Sequence, residues 1–184
     1  MTIRDEGPSA SSGGRHLDFR PGMAMWWEIT RSTEDSAGEL FEATNWIEPG
    51  MAAPPVHVHP SAEESYEVIE GAIEVFMDGS WSRVGPGEKA TVPAGKPHSV
   101  RPAGDGTTRI VNIHRPARNH EAFFRDMHRL IEQGKIKRLP PGDPRSAIYA
   151  GMLFERYPDE IRSIKPPQAV FKALALVGRA LRFS

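Results

Sequence analysis

Between Gly22 and His114 the chain alternates short apolar stretches with turn signals at close, even spacing, and no other feature limits its fold as strongly. The stretches are MAMWWEIT (23–30), ELFEATNWI (39–47), SYEVI (65–69), AIEVFM (72–77), KATV (89–92) and TRIVNI (108–113). Between them stand EPG at 48–50, EG at 70–71, DGS at 78–80, GPG at 85–87 and AGD at 103–105. Many short strands separated by such punctuation form a β-sandwich or barrel, whereas βαβ units would need helical stretches between them. Asp78-Gly79 is the strongest local hairpin signal, because a two-residue turn of this type requires the left-handed conformation that Asp and Gly tolerate.

The texture changes after Pro116. Apolar residues at 123, 124, 127, 130 and 131 follow a helical period, with Asn119 as an N-cap and Gly134 as a stop. A Pro-rich link, LPPGDP (139–144), leads to a second helix over 145–157 and a third over 166–183. In the third, Phe171, Leu174, Val177 and Leu181 fall on one face, which is expected to pack on the barrel or on a partner subunit. The expected organisation is a flexible segment at 1–20, a β domain at 21–116 and a helical extension at 117–184.

Of the 184 residues, 39% are hydrophobic and 26% charged, as in a soluble globular protein of one domain. The net charge of −1 gives no reason to expect nucleic acid as a partner. It hides an asymmetry: residues 1–114 hold 9 Lys/Arg against 17 Asp/Glu, and residues 115–184 hold 14 against 7. The basic residues are scattered, so mutual attraction between the two parts explains them better than an anionic partner. The absence of cysteine removes disulfides and thiolate metal sites. The polar, Gly/Ser-rich start does not read as a secretory signal, and no apolar window is long enough to span a bilayer. The expectation is a cytoplasmic protein with no membrane partner.

The chemistry is concentrated in GMAAPPVHVHPSAEESYEVIEG (50–71). His57 and His59 are two apart, so a strand projects both imidazoles from one face. Glu64 is an odd step further on, but Pro60-Ser61-Ala62 breaks the strand and resets the alternation. Glu64, Tyr66 and Val68 then face inward together. A second segment, GEKATVPAGKPHSV (87–100), presents His98 after a Pro/Gly-rich turn. Three imidazoles and a carboxylate suit Fe(II), Mn, Co, Ni or Zn, and in a six-coordinate ion they leave positions open for catalysis. A lone strand histidine is more often a hydrogen-bonded structural residue; four donors at these spacings reverse that reading.

These two segments resemble the two motifs of the cupin superfamily. The first is matched by Gly50, His57-Val58-His59, Glu64 and Gly71, and the second by Gly87, Pro93-Ala94-Gly95 and His98. The interval from Gly50 to His57 is one residue long for the motif, and Pro102 stands where the family carries a final Asn, so a supporting hydrogen bond is expected to be missing. Glu64 is preferred over Glu63 because its parity matches Tyr66 and it completes the six-residue step to Gly71.

The resemblance implies an antiparallel jelly-roll β-barrel holding one divalent transition metal on His57, His59, Glu64 and His98. Iron is the expected ion, with Mn, Ni, Co or Zn as alternatives. It further implies a metal-dependent enzyme on a small organic molecule, with Glu64 and Tyr66 moving protons. An Fe(II) dioxygenase is expected, since EAFF (121–124) is similar to the run that follows the barrel in quercetinase-like cupins. A redox-neutral isomerase or lyase and a non-catalytic ligand-binding cupin are the alternatives. Cupin barrels commonly dimerise, so a homodimer is expected as well. Trp46, Met77 and Arg109 are candidate pocket residues; Arg109 facing inward would bind a carboxylate, and facing outward would be a surface charge. His114 is a possible pocket residue, and His120 and His128 read as ordinary.

Overall fold

The computed structural model describes residues 14–183. Ten strands come first: β1 (His16–Asp18), β2 (Met25–Arg31), β3 (Phe41–Ile47), β4 (Val56–Val58), β5 (Glu63–Glu70), β6 (Ile73–Met77), β7 (Ser80–Val84), β8 (Lys89–Val92), β9 (His98–Pro102) and β10 (Thr108–Arg115). Helices α1 (His120–Glu132) and α2 (Pro144–Arg156), strand β11 (Arg162–Lys165) and helix α3 (Gln168–Ala180) follow. One sheet has the order β1-β2-β3-β10-β5-β8 and the other β11-β4-β9-β6-β7. Every strand pair is antiparallel. The result is a two-sheet jelly roll with a C-terminal helical extension, in which no ladder joins the two sheets among the described residues.

Alternation decides which residues face the interior. In β3 the buried positions are Phe41, Ala43, Asn45 and Ile47, and in β10 they are Thr108, Ile110, Asn112 and His114. In β5, Glu64, Tyr66 and Val68 are buried while Glu63 and Glu67 are exposed, as the reset after Pro60 predicts. Asp78 and Gly79 both have positive φ, 55° and 83°, and join Met77 to Ser80 as the tight hairpin expected of them. Gly71 is required for a different reason: a Cβ there would lie 2.6 Å from Thr108 Oγ1, so the turn from β5 to β6 closes only around glycine.

Three expectations change. Of the segment expected to be flexible through residue 20, residues 1–13 lie outside the described residues, but 16–18 form β1, and Leu17 and, just past it, Phe19 are buried in the core. A three-residue strand is too short to show a period. Asn119 does stand at the N-cap of α1 but makes no cap; its amide donates instead to Glu160 Oε1 at 2.9 Å. Of the stripe expected in it, helix α3 buries Phe171 and half-buries Leu174 but exposes Val177 and Leu181, and it buries Ala175 and Gly178 beside Phe171 instead. Its partner α2 presents Gly151, where a Cβ would lie 2.6 Å from Leu174 Cβ and 2.9 Å from the Phe171 carbonyl. Close approach of the two backbones is what turns the small-residue face of α3 inward.

Candidate metal centre

Strand pairing brings the two motifs together. β4 and β9 are adjacent and antiparallel, with His57 directly opposite His98 and their ring centroids 4.4 Å apart. Each ring is oriented by its own loop: His57 Nδ1 lies 2.8 Å from the Pro55 carbonyl and His98 Nδ1 2.9 Å from the Lys96 carbonyl. A carbonyl only accepts, so both Nδ1 atoms carry protons and both Nε2 atoms are turned to the site. His59, just past β4, is held the same way by the Glu160 carbonyl at 2.6 Å, a contact from 101 residues further along the chain.

Glu64 enters from the other sheet. Its Oε2 lies 2.8 Å from His98 Nε2 and 3.1 Å from His59 Nε2. The four donor atoms of His57, His59, Glu64 and His98 all lie within 4.8 Å of one another, and all four residues are buried. Donors about 2.1 Å from a six-coordinate ion are about 3.0 Å from their nearest neighbours, which the two measured separations match. The donor set fits one divalent cation, and these residues can hold a metal.

The electrostatics set the protonation of the metal-free cluster, in which a metal must displace any proton held by an imidazole. Burial pushes the His57 imidazole down to about 3, aided by His98 and His59 beside it, so it is neutral near pH 7. Burial alone would raise the Glu64 carboxyl, but His114 and His59 and the bonds from His59 and His98 outweigh it and hold the group well below the usual carboxylate range. Burial lowers His98, yet its bond to Glu64 prevails and the imidazole is raised. For Tyr66, burial and the adjacent Glu64 charge push the phenol well above its ordinary value, so it keeps its proton.

Asn112 and His120 also reach the cluster, with no signal in the sequence, and His114, a possible pocket residue, lies against Glu64 instead of in the cavity wall. Asn112 donates to Glu64 Oε1 at 2.9 Å, and His114 Nε2 lies 3.3 Å from the same oxygen. His120, on α1, is 1% exposed; its Nε2 lies 3.1 Å from His59 Nδ1, and its ring stacks on His114 at 4.4 Å. It is therefore not the ordinary helix residue expected; His59, His114 and His120 form a second close group. Nothing in its spacing to His128 could have revealed this, because the contact depends on how α1 docks. His128 packs edge-on against Phe19.

A cavity of about 140 Å³ adjoins three of the four donor residues: His57, His59 and Glu64 are in its wall together with Tyr66, while His98 does not line it. The rest of the wall is almost wholly apolar, and much of it comes from the C-terminal helices through Phe123, Phe124, Met127, Phe154 and Phe171. Of the expected pocket residues, Trp46 and Arg109 do not line it. Both take outward positions, Trp46 stacking on Trp26 at 5.9 Å and Arg109 lying 3.8 Å from Glu70. Their strands place Asn45, Ile110 and Asn112 inward, and adjacent residues therefore face out. Met77 stands opposite His98 in the β6–β9 ladder but does not line the cavity either.

Two sheets, a helical cover and a buried His₃Glu cluster define a jelly-roll protein with a candidate metal site. Residues 46–114 match the Cupin domain family, the part of the chain that carries the four donors. Quercetin 2,3-dioxygenase of Bacillus subtilis (strain 168) is 38% identical over 66 residues, which are 36% of this chain and 20% of that protein. The match thus spans about a fifth of that relative's length. Among solved structures, the polyketide cyclase RemF from Streptomyces resistomycificus is 26% identical with a TM-score of 0.45, over 52% of this chain and 68% of that one. KdgF from Halomonas sp. is 20% identical with a TM-score of 0.46, over 53% and 85%. No helix among the described residues is long and apolar enough to cross a membrane.

Proposed function

We propose that the chain is a metal-dependent enzyme acting on a small organic molecule, and specifically an Fe(II) dioxygenase whose ion is held by His57, His59, Glu64 and His98. The observation that carries this reading is the convergence of three imidazoles and one carboxylate, with His57, His59 and Glu64 of that cluster in the wall of an apolar cavity. The likeness of 66 residues to a quercetin 2,3-dioxygenase supports the choice of dioxygen chemistry. When bound, Fe(II) supplies a redox-active Lewis acid with positions left for substrate and O₂.

The chain's own residues have separable parts in this reading. The carbonyls of Pro55, Lys96 and Glu160 hold the three Nδ1 protons and so aim the imidazoles. Asn112 holds Glu64 Oε1, which leaves Oε2 facing His59 and His98. Tyr66, protonated and buried in the cavity wall, donates a hydrogen bond to a substrate oxygen or to Glu64. The Phe123, Phe124 and Phe154 rings exclude water from the reacting atoms.

Oxygen uptake tests the reading. Protein loaded with Fe(II) is expected to consume O₂ with at least one member of a panel of phenols and diketones, while the zinc form does not. Turnover by the zinc or manganese form under strict anaerobiosis would replace the dioxygenase with a redox-neutral isomerase or lyase. No O₂ uptake across the panel would count against the reading.

A further inference from the structure

Two side-chain N–H groups of cavity-wall residues have no partner among the described residues. Trp27 and Asn45 stand directly opposite each other in the β2–β3 ladder, so both project from one face. They are 5% and 1% exposed, and both line the cavity. Among the described residues neither Trp27 Nε1 nor Asn45 Nδ2 has a hydrogen-bond partner. Buried N–H groups are nearly always paired, and an orphan in a cavity wall points to a ligand that completes it. The indole N–H only donates, so the atom that faces this pair must be an acceptor.

The remaining wall narrows the ligand further. Met25, Ile47, Ile110, Phe124 and Met127 line the same cavity, and among the described residues no Lys or Arg does. Arg109, the one candidate for holding a carboxylate, lies outside beside Glu70. An anionic ligand would lose its hydration here and find no side-chain cation in return. The volume of about 140 Å³ is close to the ~150 Å³ of an apolar cavity known to accept benzene.

We propose that Trp27 Nε1 and Asn45 Nδ2 form a recognition subsite for the acceptor oxygen of a neutral, ring-sized substrate, with its apolar body among Met25, Ile47 and Phe124. The assignment of this ligand as substrate rests on the enzyme reading above; the binding itself does not require the metal.

Calorimetric titration of the full chain with acetophenone, ethylbenzene and benzoate, as purified and after chelation, tests the subsite. In the chelated protein acetophenone is expected to bind about tenfold or more tighter than ethylbenzene, the size of effect that two buried hydrogen bonds produce. Benzoate is expected to bind at least as weakly as the hydrocarbon. The indole N–H resonance of Trp27, assigned by its loss in Trp27→Phe, should shift with acetophenone and not with ethylbenzene. In Asn45→Leu and Trp27→Phe the ketone should fall toward the hydrocarbon, while retained ethylbenzene binding shows that the cavity is intact. If a variant loses both ligands, the resonance in the unaltered chain decides. Equal affinity for ketone and hydrocarbon, preference for benzoate, or no binding of any probe overturns the proposal. Because these titrations use chelated protein, a failure of the metal or dioxygenase reading leaves their outcome unaffected, and the reverse holds too.

Discussion

Asn112 donates its side-chain amide to Glu64 Oε1 at 2.9 Å across the β5–β10 ladder, and it alone of the neighbouring amides reaches that carboxylate among the described residues. The bond leaves Oε2 to face His59 and His98. Asn112→Ala is expected to lower metal affinity about 10- to 100-fold while the protein stays folded, the usual cost of losing a group that orients a ligand. Competition against a chelator of known affinity measures it; an unchanged affinity would mean that the carboxylate is fixed by other contacts.

Acid should destabilise the metal-free protein. Burial holds His57 neutral down to about 3 and His120 down to about 4, and His114 is lowered as well. Below about 6.5 the unfolded chain takes up protons that the folded chain refuses, so stability falls with pH through that window. His98 acts in the opposite sense, contributing below about 6.5 and losing that contribution as pH rises through its raised value. Glu64, held low, keeps its contribution until pH falls through its folded value. His128 is lowered too, so four lowered imidazoles against one raised predict a lower melting temperature at pH 5 than at pH 7 in chelated protein; the same or a higher one at pH 5 runs against this assignment.

Tyr66 keeps its proton because burial and the Glu64 charge both oppose ionisation. Once a substrate is in hand, Tyr66→Phe should reduce kcat by about 10²-fold or more, as expected for loss of a positioned proton donor, with metal content unchanged. A variant with undiminished kcat removes the tyrosine from the chemistry.

The α2–α3 crossing depends on glycine. A Cβ on Gly151 would lie 2.6 Å from Leu174 Cβ and 2.9 Å from a backbone carbonyl, neither of which can move freely. Gly151→Ala is expected to cost about 1–3 kcal/mol in denaturant unfolding, in the range of core overpacking. Phe154 and Phe171 sit beside this crossing and line the cavity, so ligand binding should weaken too. Full stability in the alanine variant would show that the helices separate without penalty.

What the sequence revealed was local. The parity of Glu64, Tyr66 and Val68, the Asp78-Gly79 hairpin and the His57/His59 pair are set by alternation and turn chemistry within a few residues, and they stand as expected. Size and charge single out Trp46 and Arg109, whereas the same alternation that places Glu64 inward puts Asn45 beside the one and Ile110 beside the other into the interior. Pro102 does stand without the motif's Asn, yet Glu64 is still held by an amide, from Asn112 on another strand. His120 reaches His59 only because α1 returns over the sheet, and β11 pairs with β4 across about a hundred residues. The face that α3 buries follows from Gly151 on a different helix. None of these has a short-range signature.

Metal content measured by elemental analysis, on protein prepared without chelators, tests the central proposal most directly. The unaltered chain should carry about one divalent transition metal, and His98→Ala should lose it while retaining the β signature in circular dichroism. Full occupancy in His98→Ala, or no metal taken up by the unaltered chain even when it is supplied, would contradict the assignment of His57, His59, Glu64 and His98 as the site.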